Sequence, residues 1–290
     1  MKLGIHAYAW CSEWSNQSLD LIDRVKGLEL DFIEIPLMKL DSFDASAVRR
    51  RLTDAGLDAV TSTVLLKGTD ITSRDPDVRR RGVAYLKSCV EATAAIGKTN
   101  LSGVLYSQHV KDTHERPSEA DWEYAAGGLR EAARHAQKYG VLLGLEPVNR
   151  YESNLMNTCA QALQLRDMIG EPNVKIHLDT YHMNIEEKSF YDATKLAGPD
   201  LIHYHLCEND RGIPGTGLVN WDDIFRALGE IGYSGYAALE SFVDMTDNMN
   251  TWVWRQLAPS GDALVAEGVA FIRRMMKKHR LPGSAAGGFV

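Results

Sequence analysis

Four side chains able to bind a cation stand about one β/α unit apart, roughly 30 residues each time. They are Glu146 in LLGLEPVNR, Asp179 in KIHLDTYH, His205 in IHYHLCEN and Glu240 in YAALESF. Each closes a short apolar run. Carboxylates gathered without a partner repel one another and resist leaving water, and a divalent cation removes both problems. Three carboxylates with one imidazole suit Mn²⁺, Co²⁺ or Mg²⁺ better than a thiolate-preferring ion, although zinc accepts the same ligand types.

These residues meet only if the runs that carry them lie side by side with their ends at one face. Eight runs read as strands: Leu3–Ala7, Phe32–Pro36, Ala59–Val64, Asn100–Leu105, Val141–Glu146, Val174–Asp179, Leu201–Leu206 and Tyr236–Glu240. Several are nearly unbroken apolar stretches, as parallel strands buried on both faces require. Amphipathic patterns separate them. Val78, Val83, Leu86, Val90 and Ala94 form one stripe, Trp122, Ala125, Leu129, Ala132, Ala136 and Tyr139 a second. Leu264, Gly268, Phe271 or Ile272, and Met275 form a third. Asn157-Thr158 and Asn220 are suited to cap helix starts, and Gly140, Gly170 and Gly232 fall just past helix ends. Eight such units predict an α/β fold, a closed (β/α)₈ TIM barrel over residues 1–280 with a loose tail at 281–290. The competitor, an open doubly wound sheet, would carry a glycine-rich phosphate turn after the first strand. Neither GxGxxG nor GxxxxGK[ST] occurs there. In a barrel, the carboxyl ends of strands five to eight share one rim, which brings the four candidate ligands together.

Other polar residues are expected near that rim: Arg150 and Glu152 after the fifth strand, His182 after the sixth, Arg211 after the seventh, and Glu34, His6 and Trp14. Such a rim suits a small polyhydroxylated substrate, whose hydroxyls both donate and accept. Strand alternation makes His205 the ligand and gives His203 a supporting role, with His177 a buried partner lower in the barrel. Glu34 is expected to support the site or touch substrate. Cys207 reads as a small residue beside a ligand strand rather than a catalytic thiol. Two connections are long, Tyr106 to Asp121 and Ser241 to Asp262, and long loops in a compact domain tend to be lids or interfaces. Trp252 and Trp254 in the second favour an interface between copies in a homodimer or homotetramer.

The 290-residue chain has 44% apolar and 24% charged residues and a net charge of −7. That balance excludes a disordered chain and argues against nucleic-acid binding, which calls for a basic face. No apolar run is long enough to span a membrane. The amino end turns polar at Ser12 and Glu13, too early for a secretory signal. Four scattered cysteines without CxxC or CxxH pairing are expected to be reduced thiols in a cytoplasmic protein.

The runs LEPVNRYESN, HLDTYHMNIEE, HYHLCENDRGIPGTG and ALESF resemble those of the ketose 3-epimerases, the D-tagatose, D-psicose (allulose) and L-ribulose 3-epimerase family of the xylose isomerase-like TIM barrels. The likeness extends from KLGIHAYAW to the last barrel strand. It implies that Glu146, Asp179, His205 and Glu240 hold one divalent metal, usually Mn²⁺. It implies that Glu152, His182 and Arg211 hydrogen-bond a ketose, and that Glu146 and Glu240 double as the acid/base pair. The C2 carbonyl makes the C3 proton weakly acidic, and a metal bound by O2 and O3 stabilises the enediolate as a Lewis acid. One glutamate takes the proton and the other returns one to the opposite face. The chain departs from the family where His6 replaces a frequent aromatic residue, where Cys207 replaces a frequent glycine, and in the loop Tyr106–Asp121. Those positions surround the far end of the sugar and bear on which ketose is preferred.

Three other readings use the same residues. One is an aldose–ketose or hydroxypyruvate-type isomerase, and another is a non-catalytic sugar-binding regulator. An endonuclease of the related barrel family needs further histidine ligands and a basic groove, and the sequence has neither.

Overall fold

The computed structural model describes residues 1–111, 115–242 and 253–282. The apolar runs form β1 (Lys2–His6), β2 (Phe32–Pro36), β3 (Asp58–Leu65), β4 (Asn100–Gln108), β5 (Leu142–Leu145), β6 (Val174–Asp179), β7 (Leu201–Leu206) and β8 (Tyr236–Leu239). Between and after them lie α1 (Asp20–Gly27), α2 (Ala45–Ala55), α3 (Pro76–Ala95), α4 (Glu119–Gln137), α5 (Cys159–Ile169), α6 (Thr180–Glu186), α7 (Phe190–Ala197), α8 (Trp221–Glu230) and α9 (Gly261–Lys278). The strands pair in chain order, all parallel, and β8 closes onto β1 with Lys2 opposite Tyr236 and Ile5 opposite Leu239. The expected (β/α)₈ barrel is therefore the fold.

Each strand faces two ways. Ile5, Ile33, Ile35, Leu145, Ile176, Leu178 and Leu206 belong to the main core, which they share with helix residues such as Ile22, Leu86, Leu129, Leu165 and Ile224. The alternate residues point to the barrel axis. There Phe32, Val60 and Ala238 form a separate apolar plug with Tyr236 against it. Gly4 makes room for the plug, because a Cβ on it would stand 2.5 Å from the Phe32 carbonyl oxygen and 2.6 Å from its ring. Below the plug, the Asp58 carboxylate accepts from Lys2 Nζ at 2.6 Å, Lys98 Nζ at 2.9 Å and the Tyr236 hydroxyl at 2.8 Å, tying β1, β3 and β8 together. Above it comes the polar layer that carries the site.

Local signals behave as their chemistry dictates. Thr158 and Asn220 cap α5 and α8 through their side chains, and Gly170 ends α5 at φ +71°. One boundary differs substantially from the sequence reading. β4 continues past Leu105 to Gln108, because the Tyr106 side chain is buried and its hydroxyl donates to the Met156 carbonyl at 3.1 Å. A tyrosine followed by Ser-Gln looks like a loop entry until that partner is known. Two helices rather than one, α6 and α7, link β6 to β7. Trp252 and residues 283–290 lie outside the described residues, and Trp254 is exposed. Among the described residues no helix is long and apolar enough to cross a membrane.

Candidate active site

Glu146, Asp179, His205 and Glu240 stand at or just past the ends of β5, β6, β7 and β8 and are all buried at one rim. Neighbouring registers set this up, with Asp179 directly opposite His205 and His177 opposite His203. The Glu146 N–H donates to the Gly103 carbonyl at 3.1 Å. Gly103 itself has φ +124°, and a Cβ there would meet the Thr63 carbonyl oxygen at 2.2 Å, so only glycine fits. Asp179 divides its oxygens: Oδ1 accepts the Tyr181 N–H and starts α6, while Oδ2 faces the site.

His205 is the centre of the arrangement. Its Nδ1 lies 3.5 Å from Glu146 Oε1, 3.7 Å from Asp179 Oδ2 and 3.3 Å from Glu240 Oε2. That nitrogen is buried and has no hydrogen-bond partner. A lone imidazole nitrogen ringed by three carboxylates is the donor set expected for a hard or borderline divalent ion, so these residues fit one. Burial alone would lower the pKa of His205, but Glu240, Glu34 and the other carboxylates outweigh it and hold the ring well above its usual range. His205 would serve such an ion through Nδ1 in its neutral form, since a metal-bound imidazole nitrogen carries no proton.

Glu34 completes the centre from behind. Its Oε2 meets His205 Nε2 at 2.9 Å and His203 Nε2 at 2.7 Å, and its side chain is fully buried. The His177 ring packs tilted against His203 and edge-to-face against His205, with centroids 4.4 and 4.1 Å away, and its Nδ1 faces Glu146 Oε2 at 3.6 Å. The histidine pair expected to play supporting parts thus lies directly beneath the cage.

The two outer glutamates are held differently. Burial pushes Glu146 above the ordinary carboxylate range, more strongly than His205 and His182 pull it down. Burial acts on Glu240 as well, but His205 and Arg211 outweigh it and keep its carboxyl low. Arg211 is buried rather than on the surface, and its Nη1 donates to Asp179 Oδ2 at 2.7 Å and to Glu240 Oε2 at 2.6 Å. It adopts φ +66°.

His182 and Glu152 form the next wall. The Asn149 N–H donates to His182 Nδ1 at 3.1 Å, and His182 Nε2 lies 3.3 Å from Arg211 Nη2 and 3.7 Å from Asp179 Oδ2. Glu152 accepts from Asn149 Nδ2 at 2.8 Å and meets His109 Nε2 at 2.8 Å. Burial would raise the Glu152 pKa, yet His182, His109 and Arg211 bring it down to about 2.

Glu146, Glu152, His182, His205, Arg211 and Glu240 all line one cavity of about 360 Å³. His6 lines it too, but both its nitrogens are engaged, Nδ1 by the Tyr8 N–H at 3.1 Å and Nε2 by Ser62 Oγ at 3.0 Å. Two expected rim residues are elsewhere. Trp14 is buried in the main core beside the cavity-lining Ser12 and Glu13. Arg150 turns outward, where its Nε and Nη2 grip the two Glu186 oxygens at 2.9 and 3.0 Å, a fork that suits a carboxylate.

Three contributors escaped the sequence reading. His109 follows β4 directly and reaches Glu152 across the cavity, and only the longer strand reveals it. Asn149 sits inside a motif already noted, but its pairing with His182 depends on the fold. Glu208, fully buried, accepts from the N–H groups of Asn209, Gly215 and Val219 and from Trp221 Nε1 at 2.8 to 3.1 Å. It shapes the loop that presents Arg211.

The profile of the xylose isomerase-like TIM barrel family matches residues 22–275. The chain is 35% identical to the ketose 3-epimerase of Arthrobacter globiformis over 280 residues, covering 94% of this chain and 96% of that one. It is 34% identical to the L-ribulose 3-epimerase of Mesorhizobium japonicum, covering 93% of each. The crystal structure of a D-allulose 3-epimerase from Methylomonas sp. in complex with D-allulose superposes with a TM-score of 0.91 at 33% identity, over 95% of this chain and 97% of that one.

Proposed function

From the chain's membership of the xylose isomerase-like TIM barrels, and within them of the ketose 3-epimerases, we infer that this enzyme inverts C3 of a free ketose such as D-tagatose, D-psicose, D-fructose or L-ribulose. The observation that carries this reading is the partnerless His205 Nδ1 facing Glu146, Asp179 and Glu240. Glu146, Asp179, His205 and Glu240 would hold one divalent ion, and Mn²⁺ suits their oxygen-rich set, with Co²⁺ or Mg²⁺ as substitutes. When bound, such an ion supplies Lewis-acid stabilisation for negative charge on the substrate's oxygens.

The chain's own residues supply the rest. Glu146 comes from the end of β5 and Glu240 from the end of β8, with β6 and β7 between them, so they approach a sugar from different sides. Those positions suit one glutamate to accept the C3 proton and the other to return one to the opposite face. In the reverse reaction the parts exchange. The ionised Glu152 accepts from sugar hydroxyls, while the Arg211 guanidinium donates to sugar oxygens and His182 Nε2 offers a further hydrogen bond. The cavity of about 360 Å³ lies toward the small end of ligand sites, which span roughly 300 to 1,000 Å³, and accords with a monosaccharide. A phosphorylated sugar is disfavoured because, among the described residues, the lysine and arginine of the lining, Lys39 and Arg211, already face Glu13, Asp179 and Glu240.

A panel of D-fructose, D-tagatose and L-ribulose incubated with and without Mn²⁺, with products resolved by chromatography, tests the reading. Only C3 epimers are expected, and only with the cation; aldoses, or activity surviving exhaustive chelation, would refute it. We also read the protein as cytoplasmic, on its four unpaired cysteines, and as a homodimer or homotetramer built through the face carrying Trp254. A monomer in sedimentation velocity would remove the latter.

A further inference from the structure

Cys207 lies two residues beyond His205, so the two-residue repeat of a strand aims both side chains at the barrel axis. The thiol is fully buried. Arg211 Nη1 is 2.9 Å from its Sγ, 2.7 Å from Asp179 Oδ2 and 2.6 Å from Glu240 Oε2. A single point in the site therefore has two carboxylate oxygens and one sulfur around it, and a positive nitrogen holds that point. Ligand atoms of Asp179, Cys207 and Glu240 all lie within 4.8 Å of one another. Independently, the buried and partnerless His205 Nδ1 faces the same two carboxylates. The other thiols have no such surroundings: Cys89 and Cys159 sit in the apolar core, and Cys11 Sγ contacts the Ala7 carbonyl at 3.4 Å.

We propose that Cys207 is a soft ligand of this cage, which gives the enzyme a second binding mode for thiophilic divalent ions such as Co²⁺, Zn²⁺ or Cd²⁺, held by the thiolate together with Asp179 and Glu240. The proposal rests on reading the cage as a cation site. As the sulfur–metal bond forms, the thiol proton leaves to solvent and the guanidinium of Arg211 gives up the shared point. Mn²⁺ and Mg²⁺ gain little from sulfur. The residue at position 207 thereby sets which ions the cage retains, and it makes the enzyme prone to capture by thiophilic ones.

The test titrates the metal-free wild type, Cys207→Ser and Cys11→Ser with Co²⁺ alone and reads the absorption spectrum. Visible d–d bands report filling of the cage, and a near-ultraviolet thiolate-to-cobalt band reports sulfur ligation. Wild type and Cys11→Ser are expected to show both, and Cys207→Ser only the d–d bands. Cd²⁺ affinity should fall roughly tenfold or more in Cys207→Ser, with Mn²⁺ affinity kept within about threefold. Cys207→Ala replaces the serine variant if that one does not fold. A wild type that fills without the thiolate band overturns the proposal, as does a band that persists without Cys207. If no d–d bands form and Mn²⁺ does not bind, the reading of the cage itself falls, and the thiol with it.

Discussion

His205 Nε2 lies 2.9 Å from Glu34 Oε2, and this one contact decides which face of the imidazole the site receives. A carboxylate behind the ring keeps the proton on Nε2 and turns Nδ1 toward Glu146, Asp179 and Glu240. Glu34 also receives His203 Nε2 at 2.7 Å, so it fixes two rings at once. Glu34→Gln removes the charge without touching a ligand. Mn²⁺ affinity measured by calorimetry is expected to drop about 10- to 100-fold. Unchanged affinity would show that something else orients the ring.

Cation removal should loosen but not unfold the protein. The apolar shell and the Phe32 plug close the barrel without help from the cage. Ligand linkage adds about 2.7 kcal/mol when the free ion stands at 100 times its Kd. Thermal melts with Mn²⁺ and with EDTA should therefore differ by several degrees while both remain cooperative. Identical melts would mean that no ion binds the folded state.

Asp58, at the opposite end of the barrel, should govern part of the acid stability. Burial pushes its carboxyl up, but Lys2, Lys98 and Tyr236 overcome that and hold it well below the ordinary range. A carboxyl lowered by folding stabilises at pH values above its unfolded pKa of about 3.9, and the gain is lost as the pH falls toward the folded value. Asp58→Asn is expected to cost about 1 to 3 kcal/mol near neutral pH. Its deficit in urea melts should shrink from about pH 7 to about pH 3. A deficit that stays constant with pH would assign the loss to packing rather than charge.

How much of this was legible in the chain follows from which forces act locally. The strand and helix order came from apolar periodicity, which each segment carries by itself, and the rim placement of Glu146, Asp179, His205 and Glu240 followed from barrel geometry. The supporting contacts did not. Glu34 and His205 are 171 residues apart, and nothing near either one announces the other. His109 was hidden because β4 runs on to Gln108, which pairs with Leu65 of β3, while the Tyr106 hydroxyl finds the distant Met156 carbonyl. Arg150 and Arg211 both follow a barrel strand as loop arginines, yet one meets Glu186 outside and the other enters the cage. Trp14 followed a strand as a rim residue would, but the core took its large apolar ring.

The most direct test of the account places a ketose with the Mn²⁺-loaded enzyme in D₂O and locates the label by NMR, comparing wild type with Glu240→Gln and Glu146→Gln. Glutamine is nearly isosteric but cannot carry the proton, and losing such a group costs about 10²- to 10⁴-fold in rate. The account predicts deuterium at C3 of the epimer in the wild type, and loss of epimerisation in both variants with the barrel still folded by circular dichroism. Label at C1, an epimer without label at C3, or wild-type turnover in either variant would contradict it.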